Sequence, residues 1–250
     1  MNIEHFYFPV QEQDIALLDE RTPWHQKIHG YKAIISPSEK KDKVISVVKD
    51  SYKLVKNKEL IEPLMEQVSK LGVRWRIDPS HSFCQTNRMR LQITFPDILL
   101  KDEESDIPLS LYLHNSYDQS EGVRCFWGGI RAVCQNGVIF GNILGSIYAR
   151  HTKGFSFKNF YEEFGNALDK IHSVQSKIHL LQDKPVDELL MEQLQKSLGK
   201  RRMEEIARTD KVPDKSQWDL LNDITYHISH EEEKPKRADL QMKLSSVYDL

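Results

Sequence analysis

Arg88-Met89-Arg90-Leu91-Gln92-Ile93-Thr94-Phe95 and, after an acidic interval, Leu109-Ser110-Leu111-Tyr112-Leu113-His114 read as two β-strands, each with one apolar and one polar side. Met89, Leu91, Ile93 and Phe95 share a side in the first, opposite Arg88, Arg90, Gln92 and Thr94. In the second, three leucines oppose Ser110, Tyr112 and His114. Period two with a single polar side is what an antiparallel sheet covered on one face requires. Upstream, Val73-Arg74-Trp75-Arg76-Ile77 repeats the pattern and predicts a core Trp75 beneath two outward arginines. Downstream, Val123 to Val133 and Val138 to Tyr148 continue the β-rich run, and Asn136-Gly137 is a tight-hairpin dipeptide. Gly128-Gly129 predicts a bulge or a close backbone approach. The expected sheet is an antiparallel meander of four to five strands.

On either side the chain reads differently. Residues 1–40 are mixed and broken by Pro9, Pro23, Gly30 and Pro37. Val44 to Lys56 is rich in β-branched residues and predicts a strand over part of its length. A helix opens at Asn57 or Lys58 and runs to Lys70, with Leu60, Ile61, Leu64, Met65 and Val68 at helical spacing and Gly72 as its stop. After the sheet, Ser156 is a candidate N-cap for a stripe running from Phe157 to Leu181. Asp183 with Pro185 predicts a second start, carrying Leu189, Leu190, Leu194 and Leu198 to Gly199. A third helix begins at Ser216 and passes through Trp218, Leu221, Ile224 and Ile228, and 231–240 reads as a charged, proline-broken connection. The fold class is α+β, sheet first and helices after. Residues 1–150 form the sheet core with its N-terminal extension, and 151–250 the helical part.

Composition narrows the class without naming a function. With 39% hydrophobic and 29% charged residues, the chain is neither disordered nor membrane-embedded. No apolar run approaches the ~18 residues a membrane span needs. The N-terminus lacks a basic segment leading into an apolar one, so a secretory signal is not expected. Three widely spaced cysteines, Cys84, Cys125 and Cys134, fit a reducing compartment, and the expected location is cytoplasmic. The net charge of −2 conceals polarity along the chain. Arg21 to Arg90 holds fifteen Lys/Arg against seven Asp/Glu, whereas Leu91 to Gly122 has Lys101 alone against seven acids. A basic segment within a neutral protein suits a nucleic-acid surface, or a solvated face whose charges are paired in three dimensions.

Few residue patterns point to catalysis. Gly141 to Ser146 has two glycines but no following Lys-Ser/Thr, so no phosphate-cradling loop forms and no cofactor is expected. His227 and His230 with Glu231 fall short of a metal site, because the cysteines lack the paired spacing that would complete one. Cys134 lies in an apolar setting, where a thiol is raised in pKa and inert. His114 and Asp118 suit an oriented acid–base pair, although a polar turn bonding its own backbone explains the same residues. Basic groups interleave with aromatics around Trp75 and Tyr52, the composition single-strand binders use. Arg74, Arg76, Arg88 and Arg90 are the expected nucleic-acid contacts, with Lys49, Lys53 and Lys56 as auxiliaries.

The polar motifs carry a resemblance. Asn115-Ser116-Tyr117-Asp118-Gln119-Ser120 and Arg131-Ala132-Val133-Cys134-Gln135-Asn136-Gly137 stand in order after Ser51 to Leu60 and before Arg150-His151-Thr152 and Trp218 to Tyr226. This chain resembles the phage/plasmid-like protein family known as domain of unknown function family 932, from about residue 50 onward. The family-motif residues are Asn115, Ser116, Asp118, Arg131, Cys134 and Asn136; where the family usually has Asp-Gly, this chain has Asp118-Gln119. The resemblance implies work on DNA or against host defence. A meander followed by a long helix is also similar to the core of single-strand annealing proteins, an analogy of fold alone. Three readings follow: a non-enzymatic binder of single-stranded DNA, a module that docks a host or mobile-element protein through its helical third, and an enzyme using His114, Asp118 and Asn136. A homo-oligomer is compatible with each.

Overall fold

The computed structural model describes residues 2–18, 25–38, 41–85, 87–131, 137–152, 154, 156, 164, 166–209, 215–232 and 234–250. A 3-10 turn at Ile3–Phe6 leads into strands β1 (Gln11–Leu18), β2 (His25–Ser36) and β3 (Lys43–Lys49), then helix α1 (Asn57–Lys70). Strands β4 (Arg76–Ile77), β5 (Phe83–Cys84), β6 (Arg88–Lys101), β7 (Asp106–Ser116), β8 (Val123–Ile130) and β9 (Gly137–Ile139) follow. A helical turn at Gly141–Leu144 separates β9 from β10 (Ser146–Ala149). The chain then becomes helical: α2 (Ile171–Asp183), α3 (Glu188–Leu198), α4 (Lys200–Thr209), α5 (Gln217–His230) and α6 (Lys234–Tyr248).

The alternating stretch does decide the architecture. β6 and β7 form the centre of a seven-stranded antiparallel sheet of order β10-β8-β7-β6-β4, with β5 also on β6 and β9 also on β8. In register, Leu91 faces Leu113, Ile93 faces Leu111 and Phe95 faces Leu109. Leu111 and Leu113 continue across to Trp127 and Cys125. This side joins Leu60, Ile61, Leu64 and Val68 of α1 and Val174, Ile178 and Leu181 of α2 in one apolar core. Each such side chain contributes roughly 1.5–3 kcal/mol on burial. The glycine pair works by close approach: a Cβ on Gly128 would lie 2.5 Å from the Val138 carbonyl oxygen, and one on Gly129 2.5 Å from Ile107 Cγ2.

Local signals set several helix ends. Gly72 takes φ +65° just past α1, and Gly199 takes φ +100° after α3. Ser216 and Asp219 form the reciprocal capping box of α5. The start of α3 differs from expectation: its cap is Asp187, whose side chain accepts from Leu190 N, and α2 runs on to Asp183. The charged segment 231–240 also differs. Most of it enters α6, because Pro235 falls in the first turn, where a missing N–H leaves no bond unmade. The start of the Ser156 stripe, 157–163, lies outside the described residues, as does the Asn136 half of the hairpin dipeptide; the rest of the stripe, Phe164 to Leu181, packs in or against the core.

Gln11–Leu18 and His25–Ser36 are strands within the stretch expected to be broken by Pro9, Pro23, Gly30 and Pro37. With β3 they make a second antiparallel sheet of three strands. β1 is exposed along nearly its whole length. A smaller cluster of Val10, Ile34, Val48, Tyr52 and Tyr117 lies beneath this sheet. Trp75 precedes β4 and is 38% exposed, so the expected core tryptophan is not there. The large tryptophans of the core are Trp127 and Trp218. Trp218 also ties the helices to the sheet: its Nε1 donates to Asp102 Oδ2 at 3.1 Å, and Arg131 Nε donates to the same oxygen at 2.6 Å.

Candidate functional site

Two groups of polar side chains are buried against the main sheet, and they have different roles. The first is the family motif. Asn115 has no exposed surface, and its Nδ2 donates to the Val55 carbonyl at 3.0 Å and to Asn57 Oδ1 at 2.8 Å. Asn57 N donates to the Tyr117 hydroxyl at 2.8 Å, and Asn57 Nδ2 to the Phe6 carbonyl at 3.0 Å. Ser116 Oγ donates to the Glu121 carbonyl and accepts from Glu121 N, closing the turn. Asp118 accepts from Asn87 Nδ2 at 2.6 Å and from Ser120 N at 3.0 Å. Burial raises the Asp118 carboxyl, but its bonds to Ser120 and Asn87 and the nearby Arg88 charge bring it below the usual range. Gln119 adopts φ +63°, the conformation a family glycine would take freely, and its amide donates to the Val47 carbonyl at 3.3 Å. The motif clamps the N-terminal segment and α1 to the end of β7.

Arg131 is likewise structural. Its guanidinium is 6% exposed and bonds Asp102 and, at 2.8 Å, Glu104. Cys134 and Asn136 lie outside the described residues. Of the other cysteines, burial pushes the Cys84 thiol up to about 11 and Cys125 well above its ordinary value, so neither is poised as a nucleophile. His227 is engaged with Glu231, 2.7 Å away. Among the described residues, no group of three or more His, Cys, Asp or Glu gathers at metal-binding range.

The second group lies on the polar side of the sheet. Cross-strand pairing places Arg76 opposite Thr94, Arg88 opposite Ser116, and Arg90 opposite His114, which in turn faces Arg124. Paired residues project to the same side, so four arginines from β4, β6 and β8 share one face. Aromatic rings stand among them. Tyr112 and Phe126 stack at 5.0 Å, Arg90 lies 5.9 Å from the Phe83 ring centre, and Arg124 lies 5.2 Å from that of Tyr148. Arg74 sits outside any strand, exposed, donating from Nε to Asp97 at 2.7 Å. Lys49 ends β3, Lys53 follows in the connection, and Lys56 precedes α1; all three are exposed. They flank the segment that Tyr52 and Asn57 tie to Ser116 and Asn115. The expected contacts therefore divide into a sheet-face set and a separate lysine set.

Carboxylates accompany the face arginines. Asp118 lies 3.6 Å from Arg88, Glu121 lies 3.6 Å from Arg90, and Asp239 bonds Arg124. Burial pushes the Glu121 carboxyl up, against the pull of Arg90, Arg124 and Arg88. His114 is buried beside it, with Nδ1 3.9 Å from Glu121 Oε2. Burial, reinforced by Arg90 and Arg124, holds this imidazole well below its ordinary pKa, hence neutral. The N-terminal half of α6 crosses over the face, where Gln241 Nε2 donates to the Gly137 carbonyl at 3.2 Å. Between them is a cavity of about 420 Å³. Its floor holds Arg90, Tyr112, His114 and Phe126; its helical wall holds His230, Arg237 and Gln241.

A family model described as Domain of unknown function (DUF932) matches residues 44–246. The chain belongs to this family. No match was found among curated proteins, and none among solved structures. The DUF932 span contains the whole main sheet, helices α1 to α5, all but the end of α6, and every residue lining the cavity, while β1 and β2 precede it. Sequence reasoning singled out Arg88, Arg90 and His114 of this face but missed Arg124, Phe126, Glu121 and Arg237. Arg124 and Phe126 carried a usable signal, since they alternate with Val123, Cys125 and Trp127. Arg237 carried none, because only the turn into α6 brings it over the sheet.

Proposed function

We propose that this DUF932 protein binds single-stranded DNA along the polar face of its main sheet, without catalysing a reaction on it. The observation that carries the reading is the register, which aligns Arg76, Arg88, Arg90 and Arg124 with Phe83, Tyr112, Phe126 and Tyr148 between them. Guanidinium groups take phosphates, and aromatic faces stack bases without regard to sequence. Asp118, Glu121 and Asp239 compete with the strand for three of these arginines, so binding is weak and depends steeply on salt. Mobile-element recombination or replication, which the phage/plasmid-like resemblance implies, is a setting that needs such a binder.

Fluorescence anisotropy with a labelled oligonucleotide of about 30 nucleotides tests the reading. With four phosphates neutralised, affinity falls roughly 50-fold between about 50 and 200 mM salt. Arg76→Gln lowers the slope of log affinity against log salt by about 0.7. Absence of binding at the lower salt overturns the reading.

A further inference from the structure

We propose that the cavity between the polar sheet face and α6 is a site for a nucleoside phosphate. The inference deepens the strand-binding reading and rests on it for the class of ligand, but it concerns a half-open cavity beside α6 rather than the sheet face as a whole.

Two observations converge. The walls present two arginines, Arg90 and Arg237, and three histidines, His81, His230 and the neutral His114; no carboxylate lines them, Glu121 lying outside the lining 3.6 Å from Arg90. An opening so lined favours an anion over a cation or a neutral solute. Three aromatic rings, Phe83, Tyr112 and Phe126, also line it, which a compact anion such as phosphate would leave unused. His114 also lines the cavity, with its Nδ1 turned to Glu121 Oε2, 3.9 Å away, rather than to the opening. The cavity's 420 Å³ falls in the range of small-molecule sites, ~300–1,000 Å³.

A nucleoside phosphate meets both conditions. Its base suits the sheet floor, beside the Tyr112 and Phe83 rings. Its phosphate suits the helical wall, where Arg237 and His230 stand beside Ser229 and Gln241. Arg237 is held for this by its Nε, which donates to the Glu232 carbonyl at 2.8 Å. The same chemistry comes from a free mononucleotide or from the phosphorylated end of a strand.

Calorimetric titration of the full chain with AMP, adenosine and inorganic phosphate tests the site. AMP is expected to bind at least about tenfold more tightly than either half-ligand, since one charge-assisted contact is worth that factor or more. Arg237→Gln should weaken AMP by about tenfold or more and leave adenosine unchanged. Ser229→Asp, which adds a carboxylate to the wall and removes no cation, should do the same and covers the case in which Arg237→Gln melts early. Competition by a 5′-phosphorylated oligonucleotide and not by its hydroxyl-ended twin assigns the ligand to a strand end; competition by AMP alone assigns it to the free nucleotide. Failure to bind AMP, equal affinity for AMP and adenosine, or an unchanged AMP affinity in both variants overturns the proposal. Oligonucleotide binding without AMP binding overturns it while sparing the strand reading. AMP binding without oligonucleotide binding does the reverse.

Discussion

Asn115 shows why a polar residue with no exposed surface need not be catalytic. Its amide nitrogen donates to Val55 and to Asn57, and Asn57 passes the contact on to Phe6 and Tyr117. Asn115→Ala strands two buried acceptors, so it should cost about 3 kcal/mol, the sum of two typical penalties for an unmade bond. A urea titration would show this as a lower midpoint, with oligonucleotide affinity at low salt unaltered in the folded fraction. An unchanged midpoint accompanied by lost binding would instead move Asn115 into the site. The sequence displayed this residue as one of a run of small polar side chains, which suits a turn and an active site equally. What separates the two is the position of Val55 and Asn57, which lie far back in the chain and reach β7 only in the folded sheet.

At the scale of elements, Gly128 and Gly129 hold β9 and β7 close to β8. No positive φ is involved at either position; the constraint is space. Gly128→Ala places a methyl 2.5 Å from the Val138 carbonyl and 3.1 Å from the Tyr112 ring. Backbone cannot yield as a flexible side chain can, so a loss of about 1–3 kcal/mol is expected, the range for overpacking. Thermal melting reads the loss, and unaltered melting would mean that β9 shifts at no cost. The same pair was visible beforehand because glycine inside a strand has few uses. Strands β6, β7 and β8 were readable for a related reason: one side is buried and the other polar, so period two is written into the residue types. β1 escaped notice because it is exposed along nearly all of its length and its residues carry no alternation to read. α6 escaped because a proline among charges signals a break in sequence, whereas in the first turn of a helix it is tolerated.

For the whole molecule, the return of α6 over the sheet brings together a cavity from residues as distant as His81 and Gln241, a conjunction no local pattern encodes. Folding also buries two imidazoles, and this sets the pH response. His114 and His151 are both held below the ordinary value by burial. The unfolded chain therefore takes up protons at these positions as pH falls through about 6.5 while the folded chain does not, and stability drops. Each contributes up to about 1.4 kcal/mol per pH unit over that window. Glu121 opposes them, because burial raises its carboxyl: its contribution is fully present below its unfolded value of about 4.5 and is lost as pH rises through the folded one. With two histidines against one carboxyl, stability is expected to fall as the pH drops below about 6.5. Asp118 and Asp102, both held low in the folded state, add to the loss only near and below about pH 4. Urea midpoints measured from pH 7.5 to 5.5 should follow this decline, and His151→Gln should make it shallower. A flat profile over that range would mean that the buried imidazoles titrate as they do in the unfolded chain, and that His114 does not stand neutral beneath α6.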